Sequence, residues 1–397
     1  MKLAISLRRT LLASLGSSLA LASFAGCSDD TSGRDTNPEG IQEAEAEAET
    51  PGDGDGDETG DGDQEGDGDG DNDDEPGDGD PSGDEAPYDP KWDVGTMPDS
   101  PDICLVPTHN PCDHLEYPSE EAAAWRALGL NCPGEFQATI DYNGHYLALM
   151  VQEGQLGTYN PATYPVREGE KMVILSTGDA FDITEPGADG DTSLPNNDPG
   201  NLPAPMSPQK VSDSEDCHDN ATLIGMGDCS NTIADQFLGT DGAYDYAEMR
   251  FSITVPTAVN AFSYNVAFLS FEYPDFYGWA YNDIYIAWLS SEEWTGNITF
   301  DAFGSPLSLN AGFLDYKDAP NFIDCPLPCD APELQGTGLE GHGGTQWLET
   351  TWPVESGETI TVIFAIMDIQ DNIVDSAVLL DNFRWTCFGG IPGTVIG

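Results

Sequence analysis

The stretch "AIMDIQDNIVDSAVLLDNFRW", residues 365–385, sets Asp368, Asp371, Asp375 and Asp381 among Ile, Val and Leu. A buried carboxylate without a partner is costly, so an apolar strand that carries several needs something to neutralise them. Side chains on a strand alternate between its faces, and an unbroken strand could not bring Asp368, Asp371 and Asp375 to one point. The chain must leave the strand near Asp371 and Asn372, both turn-formers. Upstream, Glu272 closes one apolar run and the pair Asn282–Asp283 opens another. Carboxylates and an amide with no nearby histidine are hard oxygen donors, the kind Ca²⁺ takes at about six to eight per ion. Zinc or copper would want His or Cys. The expectation is a calcium site built from Glu272, Asn282, Asp283, Asp368, Asp371 and Asp375. The competing reading makes them solvated loop acids, with Asp375 and Asp381 capping turns and one of them pairing with Arg384. Asp301, Asp315 and the insert "GADGDTSLPNND" are further oxygen-rich stretches.

Other chemistry is thinner. "EGHGGT" (340–345) echoes a glycine-rich oxyanion turn, but no G-x-S-x-G elbow accompanies it, and two glycines beside His342 more simply mark a turn. Paired carboxylates for glycoside hydrolysis occur in any acidic chain, and their separation cannot be read from sequence. The run "FEYPDFYGWAYNDIYIAW" is dense in aromatic rings. Those on strands belong to a core. Tyr277 and Trp279 fall in a loop between Pro274 and the next strand, where exposed rings could stack on a sugar or a partner surface.

The elements that must position these groups are strands. "EMRFSITV", "AFSYNVAFLSFEY", "DIYIAWLS", "ITFDAF", "TITVIFAIMDI" and "SAVLLDNFRWTC" are short β-branched and aromatic runs separated by Gly, Pro, Asn and Asp. No amphipathic helices alternate with them, which excludes a parallel α/β sheet. The pattern predicts an all-β fold, an antiparallel jelly-roll-like β-sandwich over 141–390. Ahead of it, residues 96–140 form a small cysteine-containing extension with one helix, "SEEAAAWRALGL", capped by Ser119.

Several of these runs resemble, in order, the choice-of-anchor L domain, a bacterial surface module. "MVILSTGDAFDI" (172–183) is similar to its opening strand and STG turn. "YDYAEMRFSITVPTAVNAFSYNVAFLSFEY" (244–273) is similar to its central hairpin, and "YNDIYIAWLS" (281–290) to its N-D-x-F strand. "ITVIFAIMDIQDNIVDSAVLLDNFRW" (360–385) is similar to its closing block of aspartates. The likeness covers roughly 165–387. Phe271 departs from it, standing where the family has the first Glu of an E-E-Y motif and leaving Glu272 alone. The Pro-, Asp- and Cys-rich inserts at 185–235 and 317–335 lie outside the pattern. The resemblance implies a β-sandwich displayed on the cell exterior, with no established catalysis.

The N-terminal 26 residues give "MKLAISLRR" followed by an apolar run of signal-peptide length, ending "FAGC" before Ser28. This is a lipobox pattern. It predicts lipidation of Cys27 and a membrane anchor; a plain secretory signal is the alternative. Ser28 is not the Asp that often retains lipoproteins in the inner membrane, so the expected location is the outer membrane, facing the cell exterior. Residues 27–95 are an Asp/Gly-rich linker, almost free of apolar side chains, that cannot bury a core and should stay disordered. It lacks the nonapeptide repeat of a calcium β-roll.

The net charge is −60. Nucleic acid is excluded, since its phosphates demand Lys and Arg, and the natural small partners are cations. Besides Cys27 there are eight cysteines: Cys104, Cys112, Cys132, Cys217, Cys229, Cys325, Cys329 and Cys387. An even count in an exported chain reads as disulfides. Cys217–Cys229 and Cys325–Cys329 are plausible local pairs, and zinc held with His109, His114 or His218 is the rival. The functional expectation is a non-enzymatic binding or adhesion module for carbohydrate or a surface protein. The alternatives are an extracellular polysaccharide hydrolase and a structural envelope component.

Overall fold

The structure, a computed structural model, describes residues 104–397 except 118, 195–197, 213, 239–241, 280–281, 320–324, 326–327, 371 and 388–391. The signal segment, Cys27, the acidic linker and Asp371 therefore lie outside the described residues.

One helix, α1 (Glu120–Ala127), precedes the strands, and Ser119 caps it as expected, its Oγ accepting from Ala122 N at 3.2 Å. The strands are β1 (Thr139–Asn143), β2 (Leu149–Glu153), β3 (Lys171–Ser176), β4 (Ala243–Thr254), β5 (Ala261–Ser270), β6 (Ile284–Ser290) and β7 (Thr295–Asn297). They continue as β8 (Leu307–Ser308), β9 (Tyr316–Lys317), β10 (Gly343–Gly344), β11 (Leu348–Pro353), β12 (Thr359–Ile369), β13 (Ser376–Thr386) and β14 (Gly393–Ile396). "ITFDAF" is the exception among the expected strands: only Phe300 forms a bridge there, to Pro306.

Two antiparallel sheets result, and the fold is an all-β sandwich. The first orders β1-β4-β12-β6-β7, with β8 beside β6. The second orders β14-β11-β5-β13-β3-β2, with β10 beside β5 and β9 beside β10. Their inner faces meet in one core. Phe251, Tyr285, Phe364 and Ile366 of the first sheet face Tyr264, Phe268, Val378 and Leu380 of the second, with Tyr264 and Phe364 rings 4.7 Å apart.

The outer faces are covered too. Ile286, Trp288, Ile363 and Met367 pack against Met206 and Ile233 of the long 185–235 insert. Ile174, Leu269 and Leu379 pack against Tyr164, Leu334 and Trp347. This double burial explains why β5 and β12 read as nearly continuous apolar runs rather than clean alternation.

The four cysteine pairs are Cys104–Cys387, Cys112–Cys132, Cys217–Cys229 and Cys325–Cys329. The two local pairs are those the spacing pointed to; the other two pairings were open. All eight sulfurs are thereby consumed, which removes a cysteine-ligated zinc. Helix α1 sends Trp125 into the core and rests on β2 and β3. No helix among the described residues is long and apolar enough to cross a membrane.

Candidate metal centre

Four strands carry their inward rows of apolar side chains toward the same end of the sandwich and finish them with polar groups. On β12 the row Phe364, Ile366 ends at Asp368. The row Leu289, Ala287, Tyr285 of β6 ends at Asp283, just before the strand. On β5, Val266 and Phe268 lead to Ser270, and on β13, Leu380 and Val378 lead back to Ser376. Strand periodicity is what aims all four side chains at one place. Ser376 Oγ and Ser270 Oγ are 2.9 Å apart.

Glu272 follows β5, and its Oε2 accepts from Asp283 N at 3.1 Å. Asp368 is fully buried, and Asp283, Glu272 and Asp375 are each 2% exposed. The carboxylates of Asp283 and Asp368 approach to hydrogen-bonding range. Two ionised carboxylates offer no donor to each other, so this contact needs a proton or a cation between them.

Burial is the main cause that pushes both carboxyls well above the ordinary carboxylate range. For Asp283 the charge of Glu272 adds to it, and for Asp368 the charge of Asp283. Asp375 is pushed up to about 8 and Asp245 to about 7, again chiefly by burial.

Several oxygens of this cluster are short of donors. Asp368 Oδ1 and Oδ2, Asp283 Oδ2, Asn282 Oδ1 and Asp245 Oδ2 are buried without a hydrogen-bond partner among the described residues. Among the other buried acids, Asp228 and Asp301 have donors on both oxygens, whereas Asp113, Asp216 and Asp381 each keep one oxygen without a partner among the described residues. Asp228 accepts from the backbone of Ser230, Thr232 and Asn297. Asp301, a sequence candidate for calcium, accepts from Phe303, Ser305 and Gly312 N and caps a loop instead. Asp315, which is exposed, accepts from Gln346 N, and Asp381 Oδ2 accepts from Arg167 N at 2.7 Å while its Oδ1 lacks a partner among the described residues. Arg384 pairs with Glu349 at 2.8 Å rather than with an aspartate of the closing block. The charged neighbours that act most strongly on Asp283, Asp368 and Asp375 are all carboxylates, among them Glu272, Asp245 and Asp182.

Loop conformation completes the arrangement. Gln370 and Val374 take left-handed φ of +84° and +70°, which turns the chain between β12 and β13 as Asp371–Asn372 foretold. Asp375 then lies against the STG turn, where a Cβ on Gly178 would sit 1.9 Å from its Oδ2. Residues 190–194 of the "GADGDTSLPNND" insert fold over this end. Thr192 N donates to Asp375 Oδ2 at 3.2 Å and Leu194 N to Asp245 Oδ1 at 3.0 Å. Phe271, the departure from the resemblance, points to the outer face, packed edge-on to His342 at 5.0 Å.

Of the sequence candidates, Glu272, Asp283, Asp368 and Asp375 come together. Asn282 is 5% exposed, gives its amide N–H to Gln236 at 3.0 Å, and lines a neighbouring polar groove of about 260 Å³. That groove also carries Trp279, 63% exposed, held by Asn310 Nδ2 donating to its carbonyl at 3.1 Å. Tyr277 is half-buried against Tyr273 with Lys317 over its ring. Sequence reasoning missed Asp245, Ser270, Ser376 and Gly178.

A tighter trio, His109, Cys132 and Glu135, has all its ligand atoms within 4.8 Å of one another. Cys132 is bonded to Cys112 there, so it has no thiolate to offer. The acidic cluster is more spread out: among the described residues no three of its carboxylates bring ligand atoms within 4.8 Å of one another. Its donors are all oxygen, the kind that hard cations take. No protein-family model, no curated protein and no solved structure matches the chain.

Proposed function

We propose that this chain is an exported, lipid-anchored surface protein whose β-sandwich is completed by a calcium ion and presents a binding face to carbohydrate or another surface molecule. The observation that carries the reading is the Asp283–Asp368 contact: two buried carboxylates with Glu272 and Asp375 beside them, with the Ser376 hydroxyl donating to Asp283 and three of the pair's four oxygens without a hydrogen-bond partner among the described residues. A cation bound there joins β6, β12 and the ends of β5 and β13, that is, both sheets. The lipobox at Cys27, the disulfides and the resemblance to the choice-of-anchor L domain support the location at the outer membrane. The groove with exposed Trp279 and the amides of Gln236, Asn282 and Asn310 supports the binding role, since an aromatic ring with nearby amides suits a sugar. A hydrolase reading is less apt, because the carboxylate pair is sealed from any polymer.

Thermal unfolding of the full mature chain in EDTA and in millimolar Ca²⁺ tests the ion. A rise in midpoint with calcium, abolished by Asp283→Asn, supports the reading; equal midpoints remove it. Electrophoresis through gels containing neutral polysaccharides tests the groove, with Trp279→Ala expected to abolish any retardation.

A further inference from the structure

At the opposite end of the sandwich, where β4 and β13 finish, lies a cavity of about 540 Å³ that no sequence feature announced. Its size is ordinary for a small-molecule site. One side is apolar: Leu130, Phe136, Phe383 and Trp385 line it, with Val106 at its edge half exposed. The other side is a clamp. His109 lies between two glutamates, Nδ1 at 2.7 Å from Glu135 Oε2 and Nε2 at 3.0 Å from Glu168 Oε2.

The two contacts differ. Glu135 is well held, since its other oxygen accepts from Asn110 N at 2.9 Å. The Glu168 contact is short but misaligned, leaving both Glu168 Oε2 and His109 Nε2 buried without a proper hydrogen bond. Gly129, at φ +99°, leaves the room, because a Cβ there would stand 3.2 Å from Glu168 Oε2. Arg384 also lines the cavity but is engaged by Glu349. One imidazolium against two carboxylates leaves the clamp with a net negative charge. The chain as a whole, at −60, concentrates cations and repels anions.

We propose that this cavity binds a primary amine carried on an apolar body, the ammonium donating to Glu168 and the body packing among Leu130, Phe136, Phe383 and Trp385. A cation beside these rings gains from their faces as well as from the carboxylate. The site is independent of the calcium cluster, being at the other end of the strands.

Calorimetry on the full mature chain with three matched probes decides it: 2-phenylethylamine, 2-phenylethanol and 3-phenylpropionate. The amine should bind saturably, the alcohol about tenfold more weakly or less, and the acid not at all. Glu168→Gln should lower amine affinity about tenfold. Phe136→Ser, at a position 48% exposed and so tolerant of change, should weaken it too and serves if Glu168→Gln does not fold. No saturable heat with the amine up to about 10 mM overturns the proposal. So does equal or tighter binding of the acid or the alcohol, or indifference to the foldable variants.

Discussion

Asp283, just before β6, and Asp368, on the neighbouring β12, end two inward rows of one sheet with their carboxylates in hydrogen-bonding range of each other. In a metal-free chain this contact is a net repulsion that only protonation relieves; around calcium it becomes two ligands. Asp368→Asn should therefore separate the two conditions. In EDTA the variant should unfold at or above the wild-type midpoint, because a like charge is gone. In calcium it should lose the increment that the wild type gains, about 2.7 kcal/mol at a hundredfold excess over Kd, or roughly 5 °C. Differential scanning in both buffers reads this. A variant destabilised equally in both would make Asp368 a plain structural residue.

Much of this end of the molecule was legible before its structure. Asp368, Asp283, Glu272 and Asp375 announce themselves because each interrupts or borders an apolar run, where a carboxylate has no ordinary reason to be. Asp245 carried a usable signal too, opening the row Ala247, Met249, Phe251, yet it sits in a β-bulge at φ +40° that strand alternation does not anticipate. Ser270 and Ser376 gave none, since a serine at a strand end is unremarkable until its neighbours are known. The His109 cavity was invisible for a different reason. Its walls come from residues near 106, 130, 168 and 385, joined by long-range folding and by the Cys104–Cys387 bond. The same distance hid that bond, whereas the pairs 12 and 4 residues apart could be read from spacing.

His109 gives a pH dependence with a definite sign. The close Glu168 carboxylate, opposed by burial and aided by Glu135, raises it to about 9 from 6.5. A histidine whose folded pKa is raised contributes stability that is fully present below 6.5 and is lost as pH rises through 9. The wild-type midpoint in saturating calcium should therefore fall between pH 6.5 and 9 relative to His109→Gln. The two midpoint curves should converge in slope above that window. Parallel curves across it would mean that the imidazole is neutral throughout.

Gly178 tests the geometry of the STG turn. It leaves space for the Asp375 carboxylate, and a methyl group there would overlap Oδ2 at 1.9 Å. Gly178→Ala should cost about 1–3 kcal/mol, as overpacking does, and should weaken calcium as Asp375 is displaced. A calcium titration followed by thermal shift checks both effects. A control at Gly187, where a Cβ meets nothing within 4 Å but φ is +82°, should show only the backbone cost and keep its calcium response.

The disulfides should rank by the chain they close. Cys104–Cys387 spans 283 residues and Cys325–Cys329 spans 4. Loop-closure entropy assigns the first about 5.6 kcal/mol and the second about 2 kcal/mol. The longer bond also fixes the segment that forms one wall of the His109 cavity, where Leu105 N donates to Ala258 O at 2.7 Å. Replacing Cys104 and Cys387 by serine should lower the midpoint by roughly 10 °C and abolish amine binding together. Replacing Cys325 and Cys329 should lower it by less than half as much and leave both the cavity and the calcium response intact. Equal losses from the two pairs would show that native-state packing around each bond, rather than the unfolded chain, sets its contribution.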